Sequence, residues 1–478
     1  MSFRANALRM VAGTLVAHAL PVLATPFLTR SYDPEAFGLQ LLFMSLATAL
    51  GVLATCRLEL AIVMAPSDDE GHALAGIILL LTTIICGAQV FVLAGFAADI
   101  ALLTDHPDRT GWLWMLPVFT FLLSLFQVSL AFASRRDRFG QVAAANATNQ
   151  GAYVLVALSS TLGGTLGGPT VQGLVSAKFV GQLTSALFSV VSVRSDWLRT
   201  NPIHVFSRAG ELLRKNVQFL AYNTPYSLSG GLLRDVPVFF LSTLSSTALT
   251  GYFALARMIT MAPAALVSSA ISPVFFREAA AHRGTSYLQS ITLRLLNSGA
   301  VATAPVFALA AVWGDHLFVF AFGEGWMIAG QIAMLLSPAA WWAVQTAWPE
   351  RLFEVHGRQG VSLTLQLVAD VATAAAFVGV LLLAGDPLWA VAAFAFCNLI
   401  YHHAYVFTVC AVSSFETRAV FKLFAKAWLM FLAWIIALLA VRWISGGSLG
   451  IGATATVVTL GATVLMSRMV YRALGQDS

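Results

Sequence analysis

Fourteen apolar runs of about 21 to 28 residues, separated by short polar turns, restrict this chain to one class of fold. At 1.5 Å per residue a run of twenty spans about 30 Å, the thickness of a bilayer's hydrocarbon core. The runs are roughly 8–29, 38–64, 73–95, 111–133, 142–163, 171–193 and 217–243, then 248–275, 291–313, 328–348, 361–384, 388–412, 419–443 and 449–471. Among 478 residues 58% are hydrophobic and only 10% charged, and the mean hydropathy is +0.80. That is too little charge to cover a water-soluble protein of this size. The expected fold is all-α and polytopic, with about 14 transmembrane helices.

Phe37-Gly38 opens the second run much as Thr250-Gly251-Tyr252 opens the eighth. This echo fits two six-helix lobes and two appended helices. The expected division is 1–216 with a central cytoplasmic loop, 217–412, and 413–478. An even number of spans puts both termini on one side. Of the 27 Lys and Arg, twenty fall on the side that carries the termini, three (Arg30, Arg109, Arg442) on the other, and four within runs. Positive loops stay cytoplasmic, so both termini are expected inside. The exception is an acidic turn on that side, Ser67-Asp68-Asp69-Glu70. The first run, preceded by Arg4 and Arg9, has features of a secretory signal, but it continues to Thr29 and is expected to be retained.

The four cations inside runs are Arg57, Lys178, Arg234 and Arg257, and Arg30 closes the first run. A charged side chain well inside a spanning helix costs roughly 2.5 kcal/mol or more, so such residues usually face protein or a wet cavity. Arg57 and Arg30 are near enough to a run's end to snorkel; Lys178, Arg234 and Arg257 are deeper. The anions within runs are Glu59, Asp235 and Asp370. Side chains one or two apart on a helix do not face each other, so Arg57 with Glu59 and Arg234 with Asp235 each call for partners on another helix. Cations outnumber anions, which favours a site for a negatively charged ligand. Asp370 reads either as a proton or sodium site or as a counter-ion.

Prolines and glycines mark the other irregularities: Pro26, then Pro225, Gly230, Gly231 and Pro237, then Pro263. Each is a candidate hinge for opening one side while closing the other, or a static kink. Trp112, Trp114, Trp341, Trp342 and Trp348 fall near run ends, where interfacial anchoring is the default reading.

Catalytic chemistry has little to stand on. There is no phosphate-binding loop of the Walker type, and the outer turns are too short for a catalytic loop. Asp105-His106-Pro107-Asp108-Arg109 reads as a solvated turn, and His402-His403 lies in a run without supporting ligands. The cysteines, Cys56, Cys86, Cys397 and Cys410, sit in apolar runs without metal-ligand spacing. No cofactor, metal or nucleic-acid partner is expected.

Two stretches carry a resemblance. Pro26-Phe27-Leu28-Thr29-Arg30-Ser31-Tyr32-Asp33-Pro34-Glu35-Ala36-Phe37-Gly38 with Arg57-Leu58-Glu59-Leu60-Ala61-Ile62-Val63-Met64-Ala65-Pro66 is the first. The second is Gly251-Tyr252-Phe253-Ala254-Leu255-Ala256-Arg257 with Ala262-Pro263 and Val274-Phe275-Phe276-Arg277-Glu278-Ala279-Ala280. Both resemble oligosaccharide flippases of the Wzx or polysaccharide-transporter type, in the superfamily that also holds MATE multidrug exporters and the lipid II flippase. The resemblance implies MATE-like lobes rocking about a central cavity. It implies translocation of a polyprenyl-(pyro)phosphate-linked oligosaccharide across the bacterial cytoplasmic (inner) membrane, for surface polysaccharide or O-antigen biosynthesis. Arg30, Arg57 and Arg257 match its cationic positions; Lys178 and Arg234 are added from their placement. The implied partners are the lipid-linked oligosaccharide, membrane lipid and other polysaccharide-assembly proteins, around a monomer. The alternative is an ion-coupled exporter of small molecules.

Overall fold

The computed structural model describes residues 19–102, 110–161, 170, 172–200 and 202–446, and the single positions 454, 458, 459 and 461. Among these residues there are helices and turns but no strand. In chain order the helices are α1 (Ala19–Leu28), α2 (Pro34–Thr55), α3 (Glu59–Met64), α4 (Asp68–Leu102), α5 (Met115–Arg135) and α6 (Phe139–Thr161). Next come α7 (Gly173–Ser192), α8 (Arg194–Trp197), α9 (Pro202–Lys215), α10 (Thr224–Arg234), α11 (Val236–Leu244) and α12 (Thr247–Ala281). The rest are α13 (Ser286–Phe322), α14 (Met327–Thr346), α15 (Arg351–Val355), α16 (Gln359–Ala384), α17 (Pro387–Val412) and α18 (Thr417–Ile444). Ten helices among the described residues are long and apolar enough to cross a membrane, so this is a multi-pass membrane protein. The second to thirteenth expected runs each overlap one or more of these helices within the described residues, and of the first run, 8–29, the described part holds α1. The fourteenth, 449–471, lies outside the described residues but for the single positions, as does the turn Asp105 to Arg109.

The chain forms two compact units, Met1–Gly251 and Tyr252–Ser478. In the first, α5 packs against α2, α3, α4 and α7, α6 lies along α7, and α10 and α11 lie along α2. Its core includes Leu58, Ile62, Ile78, Val128, Phe132 and Leu212. The segment expected as a central loop is largely helical: α9 packs on α4, with Leu212 buried and Arg214 and Lys215 exposed. The acidic turn finds its explanation here. Asp68 and Glu70 stand in the first turn of α4, where acids suit the helix dipole. Arg135 reaches Asp68 at 3.2 Å, and Lys215 reaches Glu70 at 2.7 Å.

In the second unit α13 packs on α14 and α18, and α17 on α14 and α16. Trp341, Trp342 and Trp348 are fully buried in its core, and Trp112 is fully buried in the first unit. The interfacial-anchor reading therefore fails for these four; only Trp114 is exposed. Trp341 donates its indole N–H to the carbonyl of Ala300 and stacks on Phe431, so the ring closes protein against protein. The histidine pair belongs to the same packing. His402 meets Thr346, and His403 Nε2 accepts from the Trp428 indole at 2.8 Å while Nδ1 lies 2.7 Å from the Leu399 carbonyl.

Candidate functional site

The second expected helix is not continuous. Cys56 and Arg57 both have left-handed backbones, with φ of 48° and 57°, a conformation costly for residues with a Cβ. The chain resumes as α3 at Glu59. Neighbours supply the hydrogen bonds the break removes: Thr82 of α4 donates its hydroxyl to the Ala54 carbonyl at 3.3 Å, and the Arg57 N–H turns to the Thr55 hydroxyl. A broken backbone inside a membrane is tolerated where protein or water satisfies it in this way.

Because of the break, Arg57 and Glu59 do face each other, contrary to the helical expectation. Arg57 Nη1 lies 3.3 Å from Glu59 Oε1. The same guanidinium donates through Nε to Ser227 Oγ of α10 at 2.8 Å. Twelve residues earlier on α2, Ser45 donates to Asp235 Oδ2 at 2.7 Å. With 57 opposite 227 and 45 opposite 235, α2 and the α10–α11 segment run antiparallel. The Arg57 side chain keeps 32% of its surface accessible while that of Glu59 keeps 8%. Glu59 Oε2 has no hydrogen-bond partner among the described residues. The arrangement is a half-open cation backed by a buried carboxylate.

The seventh expected run, 217–243, is likewise subdivided. A π-helical turn, Phe219–Asn223, leads into α10, and Asp235 separates α10 from α11. Pro237 occupies the first turn of α11, where a missing N–H costs nothing, and Pro225 stands at the junction of the π-turn with α10. Pro225 follows the π-turn directly within one helical stretch from 217 to 234, and Pro237 opens α11 after the interruption at Asp235. Gly230 is buried and Gly231 half-buried within α10, Pro26 is in α1, and Pro263 lies inside α12. Pro305 and Pro338, inside α13 and α14, drew no attention in the sequence.

Arg30 and Arg234 are exposed, and Arg234 Nε donates back to the Gly230 carbonyl of its own helix at 3.3 Å. Arg257 on α12 and Asp370 on α16 are half-buried in the second unit. Lys178 belongs to a different cluster of the first unit. Its Nζ lies 3.7 Å above the centroid of the Tyr153 ring and 3.3 Å from Gln150 Oε1. The amides continue: Gln150 donates to Asn149, which donates to Gln182 Oε1 and Ser185 Oγ. Tyr153 in turn meets Gln40 of α2 at 3.2 Å. Gly181 makes this closeness possible, since a Cβ there would lie 2.6 Å from the Asn149 carbonyl oxygen. No group of metal-ligating side chains occurs among the described residues.

The structure thus assembles Arg57, Glu59 and Ser227 at one break and Lys178, Gln150 and Tyr153 on one helix pair. Ser227, Ser45, Gln150 and Tyr153 escaped the sequence reading. The signal available for Gln150 was a polar segment, Asn146 to Gln150, inside an otherwise apolar run.

Residues 27–331, about two thirds of the chain, match the family model of polysaccharide biosynthesis proteins. The chain belongs to this family. No curated protein matches it. Among solved structures, the lipid II flippase MurJ in an inward closed conformation is similar over 98% of this chain and 99% of its own, with TM-score 0.73 at 12% identity. An inward-facing multidrug resistance MATE family transporter of the MOP superfamily is similar over 85% of this chain and 99% of its own, with TM-score 0.61 at 14% identity. A mutant of the Vibrio cholerae MATE transporter VcmN follows, over 87% and 97%, with TM-score 0.56 at 12% identity. The polysaccharide biosynthesis protein therefore has the fold of MurJ and the MATE transporters, as the sequence resemblance implied.

Proposed function

We propose that this polysaccharide biosynthesis protein is a flippase that carries a polyprenyl-(pyro)phosphate-linked oligosaccharide across the bacterial inner membrane by alternating access. The reading rests above all on Arg57. A guanidinium placed at a break inside a span, one third accessible and held by Ser227 and Glu59, is a pre-positioned partner for a phosphate. A site hydrated from one side at a time removes most of the cost of taking a charged headgroup through hydrocarbon. Arg30, Arg234, Arg257 and Lys178 complete the cationic set in this proposal. Both termini are cytoplasmic, the lobes are those expected from the sequence, and Pro263 with Gly230 and Gly231 serves bending. The protein binds and moves its substrate without chemical change.

The test is surface-polysaccharide output in cells whose own copy of the gene is deleted. Arg57→Ala is expected to reduce output at least about tenfold, the loss of one charge-assisted contact of about 1.5 kcal/mol or more. Arg57→Lys, which keeps charge but not the fork, is expected to retain part of it. Undiminished output from both variants at equal membrane abundance would refute headgroup recognition here. Export of cationic drugs that survives Arg57→Ala would favour the ion-coupled exporter.

A further inference from the structure

We infer that the α6–α7 face of the first unit is a second anion subsite, centred on Lys178, that receives an acidic sugar of the glycan while Arg57 holds the phosphate. The inference rests on the flippase reading and adds the class of glycan.

Helix α6 is polar for its surroundings. It has 23 residues, yet it is not among the ten helices apolar enough to cross a membrane. Asn146, Thr148, Asn149 and Gln150 sit on it and all are half-buried. A polar face within a membrane bundle borders protein or water rather than lipid. The amides do not compete for a ligand, because Asn149, Gln150, Gln182 and Ser185 are bonded to one another. What they leave unsatisfied is the ammonium. Lys178 has three N–H donors; it spends one on a neutral amide oxygen and lays its charge on the Tyr153 ring. It forms no ion pair with a carboxylate among the described residues. An ammonium among neutral groups inside a membrane is costly until an anion reaches it.

Depth identifies the anion. α2–α3 and α7 run in the same direction, because α6 lies antiparallel to both: Tyr32, just before α2, and Gln40 meet Ala157 and Tyr153, while Lys178 and Ser185 of α7 meet Gln150 and Asn149. Lys178 lies on Tyr153, whose hydroxyl meets Gln40, seventeen residues before Arg57 on α2, whereas Arg57 is seven residues from Met64 at the other end of α2–α3. With both termini inside, that end is cytoplasmic. A substrate loading from the inner leaflet has its lipid tail in the bilayer and its phosphate at the shallower arginine. The glycan then extends toward the deeper lysine. The negative group found there is a carboxylate of the uronic-acid type, belonging to the sugar.

Three synthetic probes separate these statements, each measured by equilibrium binding to the full-length protein in nanodiscs. They are a polyprenyl diphosphate without sugar, one bearing a neutral oligosaccharide, and one bearing a uronate-containing oligosaccharide of equal length. Wild type is expected to prefer the uronate probe to the neutral one by about tenfold, the value of one charged contact. Lys178→Gln is expected to erase that preference, weakening the uronate probe about tenfold beyond any loss shared by the other two probes, and Lys178→Arg to restore it. Gln150→Glu, which supplies an internal carboxylate, is expected to erase it as well. Equal affinity of wild type for the two glycolipids, or an equal loss for all three probes in Lys178→Gln, overturns the inference while the flippase reading stands. Failure of wild type to bind any of the three overturns the flippase reading itself, and the subsite with it.

Discussion

At the scale of single residues, Arg57 and Glu59 hold each other only because the backbone between them is not helical. A charge in an apolar run is conspicuous in any sequence, so both were legible as exceptional. Their pairing was not, because no proline or glycine marks the break; Cys56 and Arg57 adopt left-handed backbones that the run does not advertise. Ser227 was illegible for a related reason, since a serine in an apolar segment is commonplace. The buried carboxylate has a measurable consequence. Under the proposed phosphate recognition, Glu59 competes with the ligand for the same guanidinium, so Glu59→Gln is expected to tighten binding of the sugar-free polyprenyl diphosphate by about three- to tenfold. The same change leaves a cation with one partner fewer, and the thermal midpoint in detergent is expected to fall. Weaker binding in the variant would mean that Glu59 positions the arginine rather than competing for it.

At the scale of elements, helix positions follow from hydropathy because the bilayer fixes a length that any apolar run must meet. What hydropathy leaves out is how closely two helices approach. Gly38 of α2 and Gly251 of α12 show this: a Cβ on Gly38 would lie 1.9 Å from the Thr247 carbonyl oxygen, and one on Gly251 1.7 Å from that of Pro34. The sequence drew attention to both glycines as an echo, with no indication that one packs against the other. Gly181 plays a comparable part between α7 and α6. Gly181→Val would drive a side chain into the α6 backbone, and overpacking of this kind typically costs about 1–3 kcal/mol. The expected result is a lowered unfolding midpoint together with loss of the uronate preference, since Lys178 would be lifted off Gln150 and Tyr153. Unchanged stability would show that the two helices separate freely there.

At the scale of the whole molecule, the twenty-to-three asymmetry of basic residues yields a direct test of orientation. With the four free cysteines changed to serine, Thr200→Cys and Gly325→Cys report on opposite sides. A membrane-impermeant maleimide applied to intact cells is expected to label position 325 and spare position 200; the reverse pattern would invert the assignment. The small helix α3 carries an implication for how motion travels through such a protein. Arg135 of α5 grips its far end, donating to the carbonyls of Ile62, Val63 and Ala65, while Arg57 and Ser227 hold the near end. This one-and-a-half-turn stub is joined to α2 by the Leu58 N–H to Thr55 carbonyl bond at 3.0 Å and is seated on α4 and α5 through the buried Ala61 and Ile62. In the proposed flippase, whatever shifts the foot of α5 is therefore handed on to Arg57, and a phosphate docked there would pull back on α5 through the same rod.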